Sequence, residues 1–277
     1  MKRTRISLLD GGTMAINGFK LFWLRGSFDL IRFPVYSTLI DHEEGLFLFD
    51  TGFDLEFMEA YTAQDNPLQT AEQTLPAQLA LLGFHPEDVT HVINSHLHID
   101  HCGGNKHFPG ATFVVHEKEY ESARNPYPFL YQSYSDLSYD PELHKLNVTG
   151  ARDMFKRAGT TAAAPANPKP VKYQLVKGDV EFAKGVWLFE TPGHSAGQMS
   201  MLVELEGRGP MFFTADAAYA PRSLEEMLIG GYHLDPVQSF ESLARLKTIR
   251  DEHDAELFFP HPPGDSMVYR HAPEWYE

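Results

Sequence analysis

The sequence predicts an α/β fold: two packed mixed sheets with helices on their outer faces. Three observations lead there. Short apolar runs bounded by turn residues read as strands, helical patterns follow groups of those strands, and this order recurs in the two halves of the chain. The halves share element order rather than residue identity, and no short-period repeat is found. At 277 residues the chain can bury a substantial core, and it is expected to form a single domain spanning 1–277 with an irregular insertion around 125–170.

In order, Val35–Ile40 and Leu46–Phe49 read as strands joined by the polar turn Asp41–Gly45, a hairpin that ends in Asp50-Thr51-Gly52. From Thr70 to Leu82, Leu75, Leu79 and Leu82 share one helical face, and Pro86-Glu87-Asp88 looks like a short helical start. His91-Val92-Ile93 and Ala111–Val115 are strands, with a helix expected over Glu117–Ala123. Between Asn125 and Pro170 the pattern dissolves into aromatic, Ser and Asp residues and then an Ala, Pro and Asn mixture, the composition of an insertion able to act as a lid. Val180–Phe182, Val186–Phe189, Met199–Leu205 and Met211–Phe213 follow as strands. Asp235 caps a helix reaching His253, with Pro236 at its first position and a Phe240, Leu243, Leu246, Ile249 face. Glu256–Phe259 is the last strand.

Composition narrows the function. Hydrophobic content of 43% and charged content of 22% belong to a globular protein and exclude collagenous and disordered classes. No apolar run approaches the roughly 20 residues that span a bilayer, and the apolar run Ile6–Leu9 is too short for a secretory leader, so a cytoplasmic protein without membrane partners is expected. A formal charge of −15 argues against a nucleic-acid partner. Cys102 is the only cysteine, which excludes an internal disulfide.

The chemistry gathers in Asn94-Ser95-His96-Leu97-His98-Ile99-Asp100-His101. In an extended segment, residues two apart point to one side, so His96 and His98 can offer imidazoles to one ion while Asp100 and His101 reach a second. A His-rich surface loop is the alternative reading. Three later strand ends carry further ligand types: His194 in Thr191-Pro192-Gly193-His194, Asp216 after Phe213-Thr214-Ala215, and His261 after Phe259-Pro260. Any one of these alone is ordinary for a surface or core residue.

Taken in this order, the motifs resemble the metallo-β-lactamase superfamily over most of the chain. The resemblance implies an αβ/βα sandwich holding two divalent metal ions, zinc foremost, although His and carboxylate ligands accept several metals. It implies His96, His98 and His194 on one ion, Asp100, His101 and His261 on the other, and Asp216 between them, with Asp50 orienting ligands from behind. Common β-lactamases of the superfamily carry Arg where His101 stands and a zinc-binding cysteine, whereas Cys102 reads as a small residue packed beside the site. Glyoxalase II-like thioesterases and iron-dependent persulfide dioxygenases share the ligand pattern, and a binding protein on a silent fold is a third alternative.

Asp216-Ala217-Ala218-Tyr219 resembles the lactonase branch, which includes quorum-quenching N-acyl-homoserine lactonases and 4-pyridoxolactonase. Leu9–Gly12, Arg32–Ser37, His101–Lys106 and Tyr134–Ser138 look particularly like the latter, so a 4-pyridoxolactonase-like activity is expected, with N-acyl-homoserine lactone hydrolysis as the alternative. One departure is Pro262-Pro263-Gly264-Asp265, since that branch typically has Asp directly after the last histidine. The resemblance implies that a hydroxide bridging the ions opens a small-molecule lactone, with Tyr219 hydrogen-bonding the carbonyl oxygen and Asp100 moving a proton to the leaving oxygen. Phe19, Trp23, Arg25, Arg32, Tyr127, Phe129, Tyr131 and Tyr134 offer a stacking and cationic wall for a flat aromatic lactone. The family also suggests a homodimer.

Overall fold

The computed structural model describes residues 3–134, 136–140, 171–264 and 269–277. Six strands form the first sheet: β1 (Arg5–Asn17), β2 (Leu30–His42), β3 (Gly45–Phe49), β4 (His91–Ile93), β5 (Thr112–His116) and β6 (Lys172–Val176), side by side in chain order. The first three run antiparallel and β3 to β6 run parallel. The second sheet has the order β11-β10-β9-β8-β7, from β7 (Val180–Ala183), β8 (Val186–Glu190), β9 (Met199–Leu205), β10 (Gly209–Phe213) and β11 (Glu256–Phe258). Only β10 and β11 pair in parallel there.

Period-two alternation builds the layers. Phe47 and Phe49 of β3 face the other sheet, where Met201, Val203, Met211 and Phe213 meet them, while Leu46 and Leu48 point the opposite way. That outer face is covered by the helix Leu75–Leu81 through Leu75 and Leu79. On the second sheet, Leu202 and Phe212 turn outward onto Leu243, Leu246 and Ile249 of the helix Pro236–His253. Asp235 caps that helix by accepting hydrogen bonds from Val237 N and Gln238 N at 2.8 and 3.1 Å. The predicted sandwich of two mixed sheets between helices is the observed one.

Several elements differ from expectation, each for a physical reason. β1, for which no strand is expected above, continues through Gly11-Gly12, because the pairing with β2 shifts register between Asp10 and Thr13 and Gly12 takes φ +96°. The glycines mark a bulge inside a long strand. The helix expected from Thr70 starts as a 3-10 turn, Ala71–Gln73, and becomes α-helical only at Leu75. Phe240 is 51% exposed, so the core face of the last helix is Leu243, Leu246 and Ile249 with Ser239 and Ser242 beside them. The helix Leu55–Tyr61, capped by Asp54, had no clear sequence signal. Of the expected insertion, residues 141–170 lie outside the described residues, as does Asp265. Among the described residues, no helix is long and apolar enough to cross a membrane.

Candidate metal centre

Every predicted ligand follows the carboxyl end of a strand. Asp50 follows β3, the His96 to His101 segment follows β4, and His194, Asp216 and His261 follow β8, β10 and β11. Strands β3 and β4 are parallel; β8, β10 and β11 also share one direction, since β9 runs against both β8 and β10. Loops leaving the same end of a sheet converge, which is why this edge collects the chemistry.

Two groups result, each with ligand atoms within 4.8 Å of one another: His96, His98 and His194, and then Asp100, His101, Asp216 and His261. His194 Nε2 lies 3.2 Å from His96 Nε2 and 2.8 Å from His98 Nδ1. Asp216 stands between the groups. Its Oδ1 is 3.0 Å from His101 Nε2 and 3.2 Å from His261 Nε2, while Oδ2 is 3.3 Å from His194 Nε2 and 3.9 Å from His96 Nε2. Asp100 Oδ2 sits 3.8 and 3.7 Å from His101 and His261. The structure brings together all seven side chains singled out in the sequence, with Asp216 grouped beside Asp100, His101 and His261.

The far sides of the rings fix which nitrogens face inward. His194 Nδ1 donates to Tyr232 O at 2.8 Å and His261 Nδ1 to Pro34 O at 2.9 Å; a carbonyl only accepts, so both Nδ1 atoms hold a proton and both Nε2 atoms are the ones turned to the centre. His101 Nδ1 meets Asp50 Oδ2 at 2.8 Å. Asp50 also receives Ser95 N and Ser95 Oγ, each at 2.7 Å, and Ser95 Oγ lies 3.0 Å from His96 Nδ1. Asp50 thus orients two ligand rings without facing the centre, as expected of it. Convergent lone pairs repel one another, and buried Asp216 Oδ1 receives no well-directed hydrogen bond. A cation between these atoms resolves both conflicts, so the residues fit two divalent ions.

The electrostatics distinguish the two groups: burial opposes charge on His101 and His261, but the Asp216 carboxylate, with Asp100, outweighs it and raises both above the ordinary histidine range, so a metal ion there displaces ring protons held by the carboxylates. Burial and the neighbouring imidazoles hold His96 and His98 well below the ordinary histidine range, in the neutral form that binds metal. Burial opposes charge on Asp216, yet His101, His261 and His194 outweigh it and keep the carboxylate ionised. Burial drives the Tyr219 hydroxyl well above the usual phenol range, helped by the carboxylates of Asp216 and Asp100, so it is a donor. That hydroxyl lies 3.3 Å from His194 Nδ1. A Cβ on Gly230 would come within 2.6 Å of the Tyr219 ring, so the ring takes its position because residue 230 has no side chain.

A cavity of about 100 Å³ opens onto the centre. His98, Asp100, His194, Asp216, His261 and Tyr219 form its floor, and Met14, Ile16, Leu21 and Phe33 supply an apolar wall. Of the expected stacking wall, only Phe129 among the described side chains lines it. Tyr134 instead packs edge-on against His98 at 4.8 Å and is buried, Arg32 donates to Thr13 Oγ1 and Asn66 O, and Arg25 borders a different cavity beside Arg222. Phe19, Trp23 and Tyr127 also stand outside the lining, and the Tyr131 side chain is outside the described residues. Sequence reading missed Asp65 and Tyr232, two polar lining residues with no motif around them. Cys102 is buried, its thiol 3.3 Å from Leu97 O, in the packing role expected.

Sandwich and centre together define a metal-dependent hydrolase. The profile of the metallo-beta-lactamase superfamily matches residues 30–261, and the chain belongs to that superfamily. It is 30% identical, over the full length of both chains, to N-acyl homoserine lactonase AttM of Agrobacterium fabrum. To N-acyl homoserine lactonase AiiA of Bacillus thuringiensis it is 30% identical over 89% of this chain and 88% of the relative. Among solved structures, an N-acyl homoserine lactone hydrolase with the product N-hexanoyl-L-homoserine at its catalytic metal centre superposes with a TM-score of 0.81 at 26% identity, covering all of both chains.

Proposed function

We propose that this protein is a lactonase that opens N-acyl-homoserine lactones. The observation that carries the reading is the cluster of seven metal-capable side chains with the Tyr219 hydroxyl beside it, at the floor of a cavity that has an apolar wall. Full-length likeness to acyl-homoserine lactonases supports it and favours this substrate over the 4-pyridoxolactone expected from short motifs. The lining supports it too, since the aromatic and cationic wall that suited a flat pyridine ring is largely elsewhere.

In this reading His96, His98 and His194 would hold one ion, and Asp100, His101 and His261 the other, with the Asp216 carboxylate available to both. Two such ions supply a water activated at neutral pH and polarisation of the ester carbonyl. Tyr219, kept protonated by its surroundings, donates to the carbonyl oxygen as charge develops there. Opening the ring breaks the acyl carbon to ring oxygen bond, and that oxygen needs a proton as it leaves. Asp100 lines the cavity on the side of His101 and His261 and is placed to carry it.

The test is proton release on mixing the metal-loaded protein with N-hexanoyl-homoserine lactone or 4-pyridoxolactone. Faster opening of the acyl-homoserine lactone is expected, and preferential opening of 4-pyridoxolactone would overturn the assignment.

A further inference from the structure

One carboxylate on the cavity wall has no part in holding metal or moving protons. Asp65 ends the 3-10 turn Ala63–Asp65, where its backbone N–H donates to Thr62 O at 2.9 Å, and its side chain is 11% exposed. It lines the cavity above the metal centre, in a wall otherwise made by Met14, Ile16, Leu21 and Phe33. Its Oδ1 is buried and receives no hydrogen bond. The nearest cation, Lys20 Nζ, stands 3.6 Å away and also lies over the Tyr232 ring at 5.0 Å.

A buried carboxylate without a donor is costly, and Lys20 offsets the charge without supplying a well-formed bond. Burial shifts the Asp65 carboxyl above the ordinary range, and Lys20 opposes that shift. A ligand that fills the cavity displaces solvent from this carboxylate and has to supply the donor itself. An anionic ligand would meet both Asp65 and Asp100, so the fitting partner is a neutral or cationic N–H. An N-acyl-homoserine lactone carries one such group, the amide N–H on the ring carbon next to the carbonyl.

We infer that Asp65 is a specificity-determining residue that accepts a hydrogen bond from the amide N–H of the substrate, selecting lactones with a donor beside the ring over simple alkyl lactones. The inference rests on the lactonase reading above and names what that site recognises. Lys20 and Tyr232 position the carboxylate; Tyr232 also ties this polar corner to the centre, because its carbonyl holds His194. A site built to hydrogen-bond its substrate rejects analogues lacking the group far more strongly than an apolar pocket does, since the polar atom is then left unpaired.

The experiment compares kcat/KM for N-hexanoyl-homoserine lactone and for γ-decalactone, which has the same ring and no N–H, in the metal-loaded wild type and in Asp65→Ala and Asp65→Asn. In Asp65→Ala the ratio of the first to the second should fall about tenfold or more, the scale of a lost hydrogen bond to a charged group. Asp65→Asn keeps the size and an acceptor oxygen but not the charge, so its ratio should fall less. This second variant keeps the test decisive if the alanine protein does not fold. An unchanged ratio, or equal loss on both substrates, overturns the inference while leaving the lactonase reading standing. A wild type that opens neither substrate overturns that reading and this inference together.

Discussion

Tyr219 and Gly230 act as one unit at the scale of single residues. The tyrosine hydroxyl is an uncharged donor at the cavity floor, beside His194, and removing such a donor typically costs about a hundredfold in turnover. Tyr219→Phe should therefore lower kcat by roughly that factor, with metal content by elemental analysis unchanged; full activity would remove Tyr219 from the mechanism. Gly230 is expected to matter only through that ring. A methyl group there would meet Tyr219 Cε2 at 2.6 Å and its hydroxyl at 3.0 Å. Gly230→Ala should lower kcat, and adding it to Tyr219→Phe should cost little more, the non-additivity of residues in contact. Independent effects in the double variant would show that Gly230 acts elsewhere. Asp50 works from behind the ligands. Losing its bonds to His101 and Ser95 should weaken metal affinity about 10- to 100-fold in Asp50→Ala, first at the His101 group, as read by titration with a competing chelator.

Elements show what periodicity can and cannot say. The last helix was legible because its Asp cap, its Pro and its apolar spacing all agree, yet only packing decides which apolar residue turns inward. Leu246 is fully buried between Leu202, Phe212 and its helix neighbours, whereas Phe240 is half exposed. Leu246→Ala should cost about 2–5 kcal/mol and Phe240→Ala within about 0.5 kcal/mol in urea unfolding; equal losses would contradict the observed face. The same limit explains the site. Metal ligands were readable because each carries its chemistry in its own side chain, spaced in a recognisable order. The cavity wall was not, because Met14, Ile16 and Phe33 come from strands whose apolar residues look like any core, and Asp65 sits in a turn without a motif. β1 itself escaped reading because a bulge and a chain break share the same Gly-Gly signal.

At the scale of the whole molecule, the metal centre sits on the seam between the sheets. Four ligands come from the segment after β4 in the first sheet, and three from loops after β8, β10 and β11 in the second. Two bound ions would therefore cross-link sheets whose other joint at this edge includes His116, ending β5, and Glu190, ending β8, at 2.6 Å. Without ions, buried imidazole lone pairs and the Asp216 carboxylate face one another, so the native state alone bears the cost of removal. Ligands that bind only the native state stabilise it by about 3–4 kcal/mol each when free ligand is a hundred to a thousand times Kd. Chelation should then lower the thermal midpoint of the entire cooperative transition rather than loosen one loop, and excess zinc should restore it. His96→Ala, which removes one ligand from the first group, should shrink that difference between loaded and stripped protein without abolishing it, since the second group still spans both sheets through His101, Asp216 and His261. A midpoint indifferent to chelation, with the metal shown to be gone, would mean that the ions do not bridge the sheets.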